Sequence, residues 1–571
     1  VGLLERELRL PAPVCSVLVA RGVGEPEEAK RFLRPLLDHL HDPALLADGP
    51  EAAERIARAV REGETILVHG DYDVDGVCAT ALYTRWLREL GGDVVPFVPH
   101  RVRDGYDFGE AGLRAAREAG ATLVLTADCG TVAADPVRRA REAGMDVVVT
   151  DHHTLGPRPA PATCLVNPRR PDCAYPDPEL CGAGVAFKVC QLAGRVLGAD
   201  PDPLLRYLDL VALATVADLV PLRGENRVLV RWGLRHFPST RVPGLRALLE
   251  VAGVDPAEVT AGSLGYRVAP RINAAGRLGE AADALRLLLT GDRAEARHLA
   301  EMLDDLNQAR QREDRSTLDQ VVDRLVGSFD PERDYGVVVA GEGWHPGVIG
   351  IVASRVVDRI HRPTVLVALD GDGLGRGSAR SIAGFHLHEA LGRCAHLLER
   401  YGGHAQAAGM DVRPERIPEL REAFNEEARR RLTGRDLRPV LRGDVELPLA
   451  EADLELVRWL EYLGPHGIGN PGPVFLARGV RVEGARVVGE DHLKASLLRP
   501  GSPPVDAIGF GLARRHPPAR VSGGDFDVLL RLERNEWRGV TRLQARLVDL
   551  RPARPGGASS GTAPAPGEEP A

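Results

Sequence analysis

Three aspartates occupy alternate positions in the run HGDYDVDG, from His69 to Gly76: Asp71, Asp73 and Asp75. In an extended segment alternate side chains point the same way. Three carboxylates would then converge, and like charges that close repel unless a cation or a proton joins them. The run by itself reads equally well as a solvated acidic turn. Further along, LTADCGT supplies Asp128, VVVTDHH supplies Asp151, His152 and His153, and TVADLVPL supplies Asp218, each just after an apolar run. A lone aspartate behind a strand is usually a helix cap. Four such ends and a histidine pair are better explained by a shared metal site. Mixed carboxylate and imidazole ligands suit Mn²⁺ or a similar ion better than Ca²⁺. Two such ions, about 3.5–4 Å apart, lower the pKa of a bridging water and stabilise a leaving oxygen, so phosphodiester hydrolysis needs no covalent intermediate.

The elements that must position these groups are legible from periodicity. ETILVHG, DVVPFVP, ATLVLTAD and DVVVTDHH are short apolar runs separated by helical segments such as EAGLRAAREAG. Strand and helix in alternation predict a parallel α/β sheet with helices on its faces. Ligands of such sheets bind at the carboxyl ends of the strands, where the acidic motifs fall. Residues 226–330 read as mostly helical, with one long charged connecting helix. Residues 333–430 return to α/β. From about 440 to 551 short alternating runs with Gly punctuation suit a small β-barrel such as an OB-fold. The expected division is a helical arm at 1–45, the acidic-motif domain at 46–225, a connector at 226–330, a second α/β domain at 331–432 and the barrel at 433–551. Residues 552–571, with five Pro among Gly, Ala and Ser, read as a disordered tail.

Composition narrows the function classes. At 571 residues the chain exceeds one core. No run of 18 apolar residues exists and no leader is evident, so no membrane partner is expected and the chain reads as soluble and cytoplasmic. Eight Cys form no CxxC pair, which argues against a zinc ribbon. The net charge of −8 does not announce a nucleic-acid binder, but carboxylates that hold metal are neutralised. Residues 471–551 carry 14 Arg and Lys against 9 Asp and Glu, a local basic excess. Aromatics make up only 4%, too few for extensive base stacking.

In order along the chain, DYDVDG, ADCGT, DHH and VADLVPL resemble the four motifs of the DHH phosphoesterase superfamily. RINAAGRL (Arg271–Leu278), GWHPGVIGIVASRV, YGGHAQAAGM, GPHGIGNPGPVF and NEWRGVTRLQARLVDL extend the resemblance, within that superfamily, to the RecJ exonuclease family from about Pro13 to Arg551. The resemblance implies a DHH domain, a DHH-associated domain and a C-terminal OB-fold. It implies 5′→3′ hydrolysis of single-stranded DNA to mononucleotides in repair and recombination, with two Mn²⁺ or Mg²⁺ ions. It also implies a helicase and a single-strand-binding protein as partners. Asp73, Asp75, Asp128, His152 and Asp218 would ligate the ions, with Asp128 bridging and His69 a further candidate. Asp71 would stand behind the ligands, His153 would face the scissile phosphate or orient water, and Asp151 would hold His152 by a hydrogen bond. Arg271, Arg277 and Arg380 are the implied phosphate clamps, with Ser378 and the Gly402-Gly403-His404 sequence beside them. Arg101 and Tyr106 lie in a loop like the family's substrate-facing loop, and Asn273 is either a substrate contact or a helix cap. The alternatives keep other activities open: a DHH phosphodiesterase acting on nano-RNA or cyclic dinucleotides, or a DNA-binding scaffold without catalysis.

Overall fold

The computed structural model describes residues 1–553 except 102, 370–372, 435 and 538. The expected tail therefore falls, from 554 onward, outside the described residues; Pro552 still pairs with Phe526 in a strand. The chain forms two compact units. One is built from residues 41–221 and 229–440, the other from 1–40, 222–228 and the segment from 441 onward.

The larger unit contains two sheets. In the first, β1 (Thr65–Gly70), β2 (Asp93–Phe97), β3 (Leu123–Ala127), β4 (Asp146–Thr150) and β5 (Cys164–Val166) lie in the order β2-β1-β3-β4-β5. Every pairing is parallel. β3 is buried along its whole length, as a strand covered on both faces must be. Helix Val74–Glu89 follows β1, and its central residues are almost all buried, which fits its poor amphipathicity in sequence. The apolar run before Asp218 is a helix, Leu208–Ala217, and not a strand; a continuous apolar run cannot be told from a buried helix by periodicity.

Helix Arg293–Val326 spans 34 residues and buries Ala296, Leu299, Ala300 and Leu303 at helical spacing. It leads to the second sheet, β6 (Val337–Glu342), β7 (Thr364–Leu369), β8 (Gly375–Arg380), β9 (Arg400–Gly403) and β10 (Ala407–Val412), ordered β6-β7-β8-β10-β9. Only β6 and β7 are parallel in it.

In the smaller unit, β11 (Val445–Glu446) precedes a closed barrel of β12 (Phe475–Val488), β13 (His492–Leu498), β14 (Val505–Gly509), β15 (Gly524–Trp537) and β16 (Val540–Pro552). Pairing of β12 with β15 closes the ring and removes its free edges. Leu493, Ala495 and Leu497 alternate inward along β13, the period of two read in the sequence.

Candidate active site

The first sheet sets its acidic residues at one edge by a repeated device. Asp71, Asp128 and Asp151 each sit one residue beyond a strand and donate their backbone N–H across to the neighbouring strand: Asp71 to Ala127 O (3.3 Å), Asp128 to Thr150 O (3.0 Å) and Asp151 to Val166 O (3.0 Å). The ladder thus runs one rung past the sheet, and three carboxylates share one rim. Asp128 adopts φ 67°, a left-handed conformation that costs little for Asp and recurs at functional sites. Asp73 caps helix Val74–Glu89, accepting from Asp75 N and Gly76 N.

Three groups result, each with donor atoms within 4.8 Å of one another: Asp71, Asp73 and Asp128; Asp75, His152 and Asp218; and Asp128, His152 and His153. His152 Nε2 stands 3.1 Å from Asp128 Oδ1, 3.6 Å from Asp218 Oδ2 and 3.7 Å from Asp75 Oδ2. Asp128 therefore lies between an aspartate cluster and a mixed one, where a bridging ligand would stand. The far side of Asp75 is fixed by the start of helix Gly182–Leu197, whose Gly182 N (2.6 Å) and Ala183 N (2.7 Å) donate to its carboxylate. A Cβ on Gly182 would fall 2.4–2.6 Å from the Asp128 side chain, so only glycine permits this approach. Sequence reasoning missed this helix terminus; the glycines of CGAG before an apolar helix were its only signal.

These groups are unstable as charges without a cation. Burial, and then repulsion from Asp73, raises Asp75 to about 7. Burial, followed by Asp75 and Asp73, raises Asp218 to about 8. Asp71 and Asp128 are pushed well above the usual carboxylate range by burial and by neighbouring carboxylates. Burial and then His153 hold His152 down at about 3, so its ring is neutral and can ligate. Asp71 Oδ1, Asp128 Oδ1 and His152 Nε2 are buried with no hydrogen-bond partner among the described residues. Oxygen and imidazole donors that are buried and convergent, and whose charges repel one another, fit divalent cations of the Mn²⁺ or Mg²⁺ kind.

Five of the six expected ligands fall in these groups; His69 does not. Its side chain remains on the sheet face shared with Leu67, 5.3 Å from the Phe97 ring and 5.2 Å from that of Phe108. Nδ1 faces Cys129 Sγ at 3.6 Å, and Nε2 lies against Gly112, where a Cβ would come within 2.7 Å. Burial lowers this imidazole to about 4. Asp71, expected behind the ligands, instead stands among them. Asp151 also departs from expectation. Its Oδ1 accepts from the ring of His153 (Nδ1, 2.8 Å), while to His152 it bonds only through the backbone N–H. Burial would lower His153, but the bond to Asp151 together with the charges of Asp151, Asp218 and Asp71 outweighs it and raises the ring to about 9. His153 Nε2 then meets the Tyr106 hydroxyl at 3.1 Å. Tyr106 joins Tyr72 edge to face, and the Arg101 guanidinium lies 5.1 Å over Tyr72. Tyr72 was not singled out in the sequence.

Arg277 is held by Gly347 O at 2.9 Å. Burial, then Arg101, Arg310 and Arg380, bring it down to about 10. Arg380 donates to Ser378 Oγ (3.1 Å) and to its neighbour's carbonyl, and burial followed by Arg101 lowers it too. His404 is lowered by burial and then by Arg380. Guanidiniums that repel one another while partly desolvated are arranged for a polyanion. Across the second sheet, Ser378 pairs with Gly409 and Gly409 with Gly402, a side-chain-poor row ending beside Gly403, whose φ of 136° and 2.4 Å clearance to Ala407 O require glycine. Arg271 is not a free clamp: its Nη2 pairs with Asp304 at 2.7 Å and its guanidinium is tied to carbonyls of its own region. Asn273 is no cap, since it lies in mid-helix within Ala269–Leu278.

Family models for the DHH N-terminal domain (residues 65–215), the DHHA1 domain (334–430) and the RecJ OB domain (443–549) match the chain. It is 37% identical to the single-stranded-DNA-specific exonuclease RecJ of Bacillus subtilis over 96% of this chain and 69% of that one. The chain belongs to the RecJ family. The RecJ of Escherichia coli is 36% identical over 95% of this chain and 96% of its own. The crystal structure of Thermus thermophilus RecJ in complex with Mn²⁺ superposes with a TM-score of 0.83 at 36% identity, covering 98% of this chain and 78% of that one. The three matched domains are the expected RecJ architecture of DHH domain, associated domain and barrel. Among the described residues no helix is long and apolar enough to cross a membrane.

Proposed function

We propose that this RecJ-family chain hydrolyses single-stranded DNA from the 5′ end to mononucleotides, using two divalent cations. The observation that carries this reading is the pairing, in one unit, of a cation-deficient carboxylate centre with a cluster of partly desolvated arginines. Asp71, Asp73 and Asp128 would hold one ion, and Asp128, Asp75, His152 and Asp218 the other. When bound, the ions supply a water of lowered pKa and charge stabilisation of the leaving oxygen. His153, oriented by Asp151, presents Nε2 beside Tyr106, where it can donate to a phosphate oxygen. Arg101, Arg277 and Arg380, with Ser378, would grip phosphates; Gly402, Gly403 and His404 would let the strand's backbone approach the sheet closely. Contacts of this kind carry no base information, so cleavage is expected at every sequence. On this reading residues 46–225 hold the ions, and 331–432, with Arg101 and Arg277, supply the strand-gripping surface. A helicase that opens duplex and a single-strand-binding protein are the proposed partners.

The test is a long single strand labelled at the 5′ or the 3′ end and incubated with Mn²⁺, with Asp128→Ala as control. Immediate release of labelled mononucleotide from the 5′ end, lost in the variant, supports the reading. Survival of long strands while dinucleotides are cut would overturn the polymer substrate. Strand binding without cleavage would overturn catalysis.

A further inference from the structure

The barrel-bearing unit holds a cavity of about 530 Å³ between helix Leu454–Glu461, the turn at 466–473 and the ends of β15 and β16. This volume is within the range of small-ligand sites. One wall is apolar, made by Val457, Leu460, Pro473 and Leu532. His466 and Arg531 also line the cavity. Arg531 Nε and His466 Nδ1 are both buried and have no hydrogen-bond partner among the described residues. A buried guanidinium donor left without an acceptor is rare in folded proteins, so its retention calls for an explanation.

The inner end of the cavity is positive. Arg21 and Arg227 approach His466 along with Arg531; burial first, then these guanidiniums, lowers the imidazole to about 4. Arg21 is engaged by the turn itself and Arg227 by the segment just before it. Arg21 donates to Asn470 Oδ1 and Pro471 O, and Arg227 to the carbonyls of Tyr462 and Gly464. Arg531 alone among the three lines the cavity. Of the three carboxylates that line the cavity, Glu461, Glu533 and Glu536, two are paired: Glu461 with Arg534 at 2.7 Å and Glu533 with Arg546 at 3.6 Å. Gly472 keeps the space beside Arg531 open: a Cβ there would stand 3.6 Å from Nη1. An anionic group fits the Arg531 end, and a flat apolar ring fits the Val457–Leu532 wall.

We propose that this cavity binds a nucleotide, its phosphate on Arg531 and its base against the apolar wall. The choice of nucleotide over another aromatic anion rests on the exonuclease reading; the cavity's anion preference does not. The nucleotide is either a free mononucleotide or one unit of a strand, and two photolabels separate these sources.

The full-length protein in EDTA is irradiated with 8-azido-dAMP, or with a single strand carrying 4-thiothymidine at successive positions, and labelled peptides are identified by mass spectrometry. Label is expected on peptides within 457–473 or 531–541. It should fall about tenfold or more in Arg531→Gln, the loss that goes with one charge-assisted hydrogen bond. It should fall similarly in Gly472→Leu, which fills the cavity without removing charge. Labelling near Tyr106 and Mn²⁺-dependent cleavage of a dinucleotide should persist in both variants, which shows that they fold and keeps failure of the exonuclease reading distinguishable. Label from the azido compound alone identifies a free-nucleotide site, and label from the strand a polymer subsite. Absence of label at these peptides with both probes, or label unchanged in both variants, overturns the proposal.

Discussion

Replacing Asp128 with Asn should stabilise the metal-free protein while abolishing cleavage. Donor atoms of Asp71, Asp73 and Asp128 lie within 4.8 Å of one another. At that spacing and an effective dielectric near 20, each ionised pair is repelled by about 3 kcal/mol. Protons relieve part of this, as the raised Asp75 and Asp218 carboxyls show, so the recoverable share is about 1–3 kcal/mol. A domain of 150–250 residues melts about 2–4 °C higher per kcal/mol, so a rise of several degrees is expected. The pH dependence has a definite sign. In the metal-free fold Asp75 and Asp218 titrate near 7 and 8, above the ordinary 3.8. Their contribution to stability is present at about pH 4 and is lost as pH rises through 7 to 8. The advantage of Asp128→Asn over the parent should therefore grow between pH 5 and pH 9. With Mn²⁺ the order reverses: the parent gains about 4.1 kcal/mol at a thousandfold excess over its dissociation constant, and the variant gains little. Thermal melting in EDTA and in Mn²⁺ at three pH values measures all of this. A variant no more stable than the parent in EDTA, or an equal Mn²⁺ response in both, would refute the assignment of Asp128 to the centre of a cation site.

Asp151→Asn should slow single-turnover cleavage about 10–100-fold with little change in strand affinity, since it loosens His153 and removes no ligand; an unchanged rate would show that the His153 orientation does not matter. Arg380→Ala should weaken strand binding in EDTA and lower the slope of log affinity against log salt by about one, because one phosphate contact is lost. Arg271→Ala should cost roughly 1–3 kcal/mol of stability through its partly buried pair with Asp304, yet leave that salt slope unchanged; a reduced slope would restore Arg271 to the strand-binding surface. Gly112→Ala should lower the melting temperature and disturb His69, since its Cβ would lie 2.4 Å from the imidazole; melting in EDTA tests this without reference to catalysis.

What the sequence disclosed and what it withheld divide along a physical line. Strand ends are written in local pattern: an apolar run, then Asp, repeated at Gly70-Asp71, Ala127-Asp128 and Thr150-Asp151, is enough to place a metal centre on a parallel sheet before any coordinates exist. The barrel was legible for the same reason, through alternation along β13. Which member of a motif meets the metal was not local. His69 and Asp71 are two residues apart and share a parity, so alternation cannot separate them. What separates them is that the strand ends between them, leaving His69 beneath the helix that begins at Glu110 while Asp71 passes over the rim. Arg271 and Arg277 pose the same problem on one helix. Six residues apart, they are equal as cations in sequence. One meets Asp304 on the long helix and the other meets Gly347 O among further arginines. A charge is fitted for substrate when the fold withholds its counter-charge, and that is a property of partners distant in sequence. Asp151 makes the point within a single motif, because its side chain serves His153 while His152 is left neutral for the ion. The contacts that differ from the sequence expectation, those of His69, Arg271 and the Asp151 side chain, are thus the ones set by partners that local pattern does not specify.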